Sequence, residues 1–148
     1  MIRIYLDNCC LNRPFDDFTV VRNRLESEAK LYIQSLVKYR SVALYYSFVT
    51  LAELDATPSE DRKKHILDFI QAHAAGIISS KRAYDIQRQT EKIMGTGLKE
   101  KDAMHLACAI LAECDFFITT DRRIMSHSSD GIKVTNPIEF VQMWGELV

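Results

Sequence analysis

The sequence carries almost no net charge: 19 Lys and Arg stand against 20 Asp and Glu, leaving −1 at pH 7. There is no global basic field to hold nucleic acid, so any such binding must use local Lys/Arg patches. No apolar run approaches the ~20 residues needed to span a bilayer. The apolar segment Ile2 to Leu6 is too short for a secretory-signal core, and Asp7 interrupts it. The expected location is therefore the cytoplasm, with no membrane partner. Cysteine is sparse, and Cys9, Cys10, Cys108 and Cys114 form no C-x-x-C unit, which argues against a zinc site. They read as reduced structural thiols, with Cys108 a small side chain in an apolar helix. Internal repeats, low-complexity segments and linkers are also lacking. At 148 residues the expectation is a single domain, 1–148, with one sizeable core.

What is present alternates between strand and helix patterns. Ile2, Ile4 and Leu6 form a β-favouring run that stops at Asp7. A loop, Asn8 to Phe18, leads to a helix expected from a Thr19 cap to about Tyr39, with Val21, Leu25, Ala29, Tyr32, Leu36 and Val37 as its apolar stripe. Val42 to Tyr46 reads as a second strand. Ser47 caps a short helix carrying Glu53, which Thr57-Pro58 ends. Ser59 caps the next helix, with Ile66, Leu67, Phe69 and Ile70 apolar. Gly76 to Ser79 reads as a third strand, and Ser80 opens a helix to Met94 with Ala83, Tyr84, Ile86 and Ile93 apolar. After Gly95-Thr96-Gly97 comes an apolar helix with Asp102 in its first turn, where an acid suits the helix dipole. Phe116 to Thr119 is a fourth strand ending at Thr120-Asp121. Arg122 to His127 reads as a short helix, Ser128 to Gly131 as a turn, and Ile132 to Val134 as a fifth strand. Asn136-Pro137 starts the last helix, proline suiting its first position. This alternation predicts an α/β fold: a parallel sheet covered by helices on both faces.

Four acids share one placement. Asp7, Glu53 and Asp121 each lie just past the carboxyl end of a strand, where open α/β sheets bind ligands. The helix starting near Asp102 runs back antiparallel to the fourth strand, so its first turn lies at the same edge. Singly, each acid has a structural explanation as a turn residue, cap or solvated position. Together, anions about 4 Å apart repel by roughly 1 to 4 kcal/mol per pair, which a bound cation would relieve. Oxygen ligation with open positions favours Mg²⁺ or Mn²⁺ over zinc. Carboxylate-held ions of this kind serve in-line phosphoryl chemistry.

These segments also carry a resemblance. Ile4-Tyr-Leu-Asp7, Thr50-Leu-Ala-Glu-Leu54, Lys101-Asp-Ala-Met-His-Leu-Ala107 and Phe117-Ile-Thr-Thr-Asp121 resemble the four acidic motifs of PIN domains, in the family's order and nearly its spacing. The length suits single-domain bacterial members, including VapC-like toxins of type II toxin–antitoxin pairs, and Asn12-Arg-Pro-Phe-Asp16 looks like a subgroup feature. The resemblance implies a three-layer α/β/α sandwich with a central parallel sheet, similar to 5′ nucleases, and Mg²⁺- or Mn²⁺-dependent cleavage of RNA. Carried over, Asp7, Glu53, Asp102 and Asp121 are the expected catalytic and metal-binding acids. Asn8, Thr119 and Thr120 are expected beside them, orienting metal or water. Asn8 stands where many members have Ser or Thr, keeping a carbonyl acceptor but losing the hydroxyl.

Arg13, Lys99, Lys101, Arg122 and Arg123 are the residues expected to contact the RNA backbone. His105, one turn after Asp102, could reach the site but reads first as a partly buried helix histidine, and Asp115 reads as a structural loop acid. An antitoxin protein blocking the acidic edge and a homodimer are the protein partners the resemblance implies. Two rivals remain. A receiver-type phospho-acceptor domain would want an acid after the third strand and a lysine after the fifth, and neither is present. A non-catalytic PIN-like scaffold that binds RNA or protein has no need of all four acids.

Overall fold

The computed structural model describes residues 1–11, 19–95, 97–125 and 131–147. Five short strands, β1 (Arg3–Leu6), β2 (Ala43–Ser47), β3 (Gly76–Ile78), β4 (Phe116–Ile118) and β5 (Lys133–Thr135), form one all-parallel sheet in the order β3-β2-β1-β4-β5. Among the described residues the helices are α1 (Asn8–Leu11), α2 (Val21–Lys38), α3 (Phe48–Asp55), α4 (Glu60–His73), α5 (Ala83–Met94), α6 (Glu100–Leu111), α7 (Arg122–Met125) and α8 (Pro137–Leu147). None of them is long and apolar enough to cross a membrane.

Side-chain alternation along the strands decides the layers. Tyr5, Phe117 and Val134 face one core, filled by Ile86 and Ile93 of α5 and Ala103, Leu106 and Ala107 of α6. Ile4, Leu6, Leu44 and Ile118 face the other, filled by Ile33, Leu36 and Val37 of α2, Ile66 and Ile70 of α4, and Phe140 of α8. This is the expected α/β/α sandwich. Strand β1 lies at its centre, paired on both edges and covered on both faces.

The chain adds β2 and then β3 on one side of β1, and returns to add β4 and β5 on the other. Connections therefore leave β1 and β4 in opposite directions. Between such strands, a crevice opens at their carboxyl ends. The ladder runs right up to this crevice: the Asp7 backbone N–H donates to the Ile118 carbonyl at 3.0 Å, and that of Thr119 to the Thr135 carbonyl at 2.9 Å.

The local expectations meet the structure unevenly. Ser47 caps α3 by accepting from the Val49 N–H at 3.2 Å, and the Thr50 hydroxyl accepts from the Ser47 N–H in return at 3.3 Å. Ser59 caps α4, and Asn136 accepts from the Glu139 N–H at 2.8 Å at the start of α8. Gly97, at φ 101°, takes a left-handed conformation before α6 that costs a glycine little. Helix α2, however, starts at Val21 after an extended Val20 rather than at a Thr19 cap, and its buried face is rotated from the expected one. Val21, Leu25 and Tyr32 are exposed, while Glu26, Ser27 and Lys30 are buried with Ala29, Ile33 and Leu36. Both sets have helical spacing. Of the polar set, Glu26 is paired, with Arg22 donating to its carboxylate at 2.8 Å. Tyr84 is likewise exposed rather than core, with Arg88 over its ring. A 3₁₀ turn, Ser80–Arg82, capped by Ser79, precedes α5 where a helix start at Ser80 was expected.

Ser47 joins two structures at once, capping α3 and meeting the Tyr5 hydroxyl at 2.6 Å in a fully buried setting. Ser47→Ala removes the cap and one partner of a buried hydroxyl. Urea denaturation should show a loss of about 1–3 kcal/mol, with an unchanged m-value.

Candidate metal centre

Asp7 leaves the end of β1 directly into the crevice beside β4. Its Oδ1 accepts the Asn8 backbone N–H at 2.8 Å, and its Oδ2 accepts the Thr119 hydroxyl at 2.9 Å. Thr119 Oγ1 in turn accepts the Asp121 backbone N–H at 3.0 Å, so one hydroxyl links the first and last acids of the site. These contacts orient the carboxylate with neutral donors.

Glu53 arrives on α3 from the other side of β1. Its Oε2 accepts the Asn8 side-chain amide at 3.0 Å, and its Oε1 meets His105 Nε2 of α6. Lys101 Nζ stands 4.0 Å from the same Oε1. Burial works to raise the Glu53 pKa, but the His105 hydrogen bond, Lys101 and Asn8 outweigh it and hold the carboxyl below its usual range. Ligand-capable atoms of Asp7, Glu53 and His105 all lie within 4.8 Å of one another.

Asp102 and Asp121 lie outside this tight group, though the crevice couples them to it. Burial raises the Asp102 pKa, and the negative charges of Asp121 and Asp7 raise it further, against the opposing charge of Arg123. Asp121 is held low, first by the Arg123 hydrogen bond. Arg123 donates to Asp121 Oδ1 from its backbone N–H at 2.9 Å and from Nε at 3.2 Å, and to Oδ2 from a terminal nitrogen at 3.0 Å.

Of the polar residues expected beside the acids, Asn8 and Thr119 bond them directly. The Thr120 hydroxyl turns instead to Cys9 Sγ at 3.2 Å. Cys9 and Cys10 lie with their sulfurs 3.8 Å apart, and all four cysteines are free thiols. Of the basic residues expected to meet RNA, Lys101 and Arg123 point to Glu53 and Asp121, Arg122 is exposed, and Lys99 adds favourable charge near Asp121. Arg13 lies outside the described residues. Asp115 is structural as expected, its Oδ2 accepting the Arg3 N–H at 2.9 Å.

The residue that sequence reasoning weighed for the site but read as structural is His105. It is more buried than expected, at 2% exposure, yet its Nε2 reaches Glu53 and its Nδ1 lies 2.7 Å from the Tyr5 hydroxyl. The available signal was Tyr5 itself: a polar tip on a central strand requires a buried partner. The Cys108 thiol also bonds Ser47 and, pushed up to about 11 by burial, remains a neutral neighbour of this network.

The donor set fits a divalent cation. It offers carboxylate oxygens already oriented by neutral hydrogen bonds, with more negative charge than its local partners neutralise. Asn8 supplies a further sign. Its amide nitrogen must face the acceptor-only Glu53 carboxylate, and its Oδ1 is buried without a hydrogen-bond partner among the described residues. An orphaned carbonyl oxygen next to two carboxylates is a group that a cation satisfies. His105 lies within the same group as Asp7 and Glu53, but its Nε2 is taken up by the Glu53 carboxylate.

Like-charge crowding gives a direct prediction. A carboxyl whose folded pKa is raised binds its proton more tightly in the folded than in the unfolded state. Its contribution therefore falls as pH rises from the ordinary Asp value through the raised one. Asp102→Asn removes that penalty, so without metal the variant should melt above the wild type at pH 7. The difference should close as the pH is lowered to 4, as followed by circular dichroism.

Comparison with known proteins places this geometry. No curated protein matches the chain in sequence. VapBC2 from Rickettsia felis, solved bound to a DNA fragment from its promoter, superposes with a TM-score of 0.59 at 12% identity, covering 91% of this chain and 98% of its own. FitAcB from Neisseria gonorrhoeae gives 0.52 at 19% identity, covering 90% and 97%. VapBC-5 from Mycobacterium tuberculosis, a member of the VapBC family of toxin–antitoxin systems, gives 0.51 at 15% identity, covering 92% and 99%. At such identities the likeness is one of fold. The sequence profile of the PIN domain matches residues 4–128, a span containing all four acids and His105, and the chain belongs to the PIN domain family.

Proposed function

We propose that this protein is a ribonuclease that hydrolyses RNA phosphodiester bonds with Mg²⁺ or Mn²⁺, acting as the toxin of a toxin–antitoxin pair. The observation that carries the reading is the convergence of Asp7 and Glu53, with His105 between them, at the crevice beside β1 and β4. Asp7, Glu53, Asp102 and Asp121 would hold the cation. When bound, such an ion stabilises charge on phosphoryl oxygens and lowers the pKa of a water. The chain's own residues do the positioning. Asn8 and Thr119 fix the carboxylates of Glu53 and Asp7, and Arg123 fixes that of Asp121. Lys99, Lys101 and Arg122, along the same edge, bring the RNA backbone to the acids by phosphate contact.

The toxin assignment rests on the fold shared with VapBC-5, a toxin–antitoxin family member, and with VapBC2. The partner it implies is an antitoxin segment bearing Arg or Lys, complementary to an edge with more carboxylates than cations.

Cleavage of a labelled mixed RNA pool in Mn²⁺ or Mg²⁺ tests the activity. The wild type should cleave, EDTA should abolish cleavage, and Asp7→Asn combined with Asp102→Asn should reduce it by at least about 100-fold. Cleavage that survives in the double variant would sink the assignment. Mg²⁺ should also raise the wild-type melting temperature, and Asp102→Asn should shrink that rise. Lys99→Ala and Lys101→Ala should weaken RNA binding across sequences, each lowering the salt slope by about 1. A slope equal to the wild type's would exclude them as phosphate contacts.

A further inference from the structure

Beneath the acids lies a polar network, inside an otherwise apolar layer, that an RNA nuclease reading leaves without a purpose. Tyr5, on the central strand, is 0% exposed and stacks on Phe117 with ring centroids 5.4 Å apart. Its hydroxyl has three partners: Ser47 Oγ at 2.6 Å, Thr50 Oγ1 at 3.2 Å and His105 Nδ1 at 2.7 Å. Proton accounting orders this network. Ser47 Oγ already accepts from the Val49 N–H, and Thr50 Oγ1 from the Ser47 N–H, so each hydroxyl has its proton to give. The fixed point is Glu53, whose carboxylate only accepts and so asks for a proton on His105 Nε2. In a neutral imidazole Nδ1 then accepts, the Tyr5 hydroxyl is its donor, and the Tyr5 oxygen is left to accept from Ser47 and Thr50.

We propose that Tyr5 and His105 are positioning residues for the cation site: the Tyr5 hydroxyl, set by Ser47 and Thr50, locks His105 as an Nε2–H donor, and that donor fixes the Glu53 carboxylate for ligation. The proposal rests on the cation-site reading above. The arrangement inverts the usual one, in which a carboxylate orients a ligating histidine. Here a histidine that stays off the ion orients a ligating carboxylate. Asn8 holds the other carboxylate oxygen at 3.0 Å, so Glu53 is gripped at both ends and keeps its remaining lone pairs for a ligand. The three elements that carry the network, β1, the cap of α3 and the middle of α6, all lie in the core, so the setting of Glu53 is tied to the most buried part of the fold.

The test uses two readouts. Long-range ¹H–¹⁵N correlation spectra report which nitrogen of His105 is protonated, with its signal assigned among the four histidines by its loss in His105→Gln. In metal-free wild type, one tautomer should be present, with the proton on Nε2, and it should persist on titration with Mg²⁺. Tyr5→Phe, which keeps the stacked ring, should lose that single tautomer. Calorimetric Mn²⁺ affinity should fall about 10–100-fold in Tyr5→Phe and in His105→Leu. His105→Gln, whose amide can still donate to Glu53, should recover most of the loss. A wild-type proton on Nδ1 would overturn the proposal, as would loss of the Nε2 proton when Mg²⁺ binds, which would make His105 a ligand. Wild-type affinity in Tyr5→Phe would overturn it too. A wild type that binds neither ion would instead refute the cation-site reading, and the metal-free spectrum would still report whether the Tyr5–His105–Glu53 hydrogen bonds form.

Discussion

From Ile4 to Leu6, strand β1 has no side that meets water. Its two edges are paired with β2 and β4, and its two faces are covered by separate cores. Every polar group on it must therefore be satisfied by the protein. Tyr5 meets this demand by drawing in Ser47, Thr50 and His105, and Asp7 meets it by leaving the strand at the one point where the sheet opens. The position of the site and the position of the buried network thus follow from one constraint, the full enclosure of a single strand.

The site shows how like charges are held close without a local cation for each. Neutral donors do most of the work: a backbone N–H and a threonine hydroxyl on Asp7, an asparagine amide and an imidazole on Glu53. They fix direction without cancelling charge. The strong guanidinium pairing is kept for Asp121 at the rim, and Lys101 stays at the edge of contact with Glu53. Asp102 is left partly buried and facing the repulsion, and burial first, then Asp121 and Asp7, raise its pKa. Stability given up at one position in this way is the ordinary accompaniment of a site shaped for a ligand.

Much of this was legible in the sequence because it is written in local rules. Strands that end in acids, a serine cap before Phe48 and an Asn-Pro start before the last helix need only neighbouring residues to be read. The rotation of α2 was not legible. Val21, Leu25 and Tyr32 satisfy helical spacing as well as Glu26, Lys30 and Ile33 do, and only the packing of the helix on the rest of the fold decides between them. His105 was read as partly buried, but its contact with Glu53 spans 52 residues and its contact with Tyr5 spans 100. No local pattern carries such a pairing. Cys9 was read as structural, and its sulfur is where the Thr120 hydroxyl turns.

The strand order has a consequence for the order of events during synthesis. Tyr5 pairs with Phe117, and the Asp7 N–H is satisfied only by Ile118, so the first acid waits for a strand made more than a hundred residues later. Pairings this distant in sequence close late, after the local helices have formed. On the ribosome, β1, β2 and β3 can assemble one half of the sheet while the crevice has only one wall. Until β4 emerges from the exit tunnel, Thr119 and Asp121 are absent and Asp7 lacks the hydroxyl that orients it. The four acids therefore share one edge only once β4 has joined the sheet.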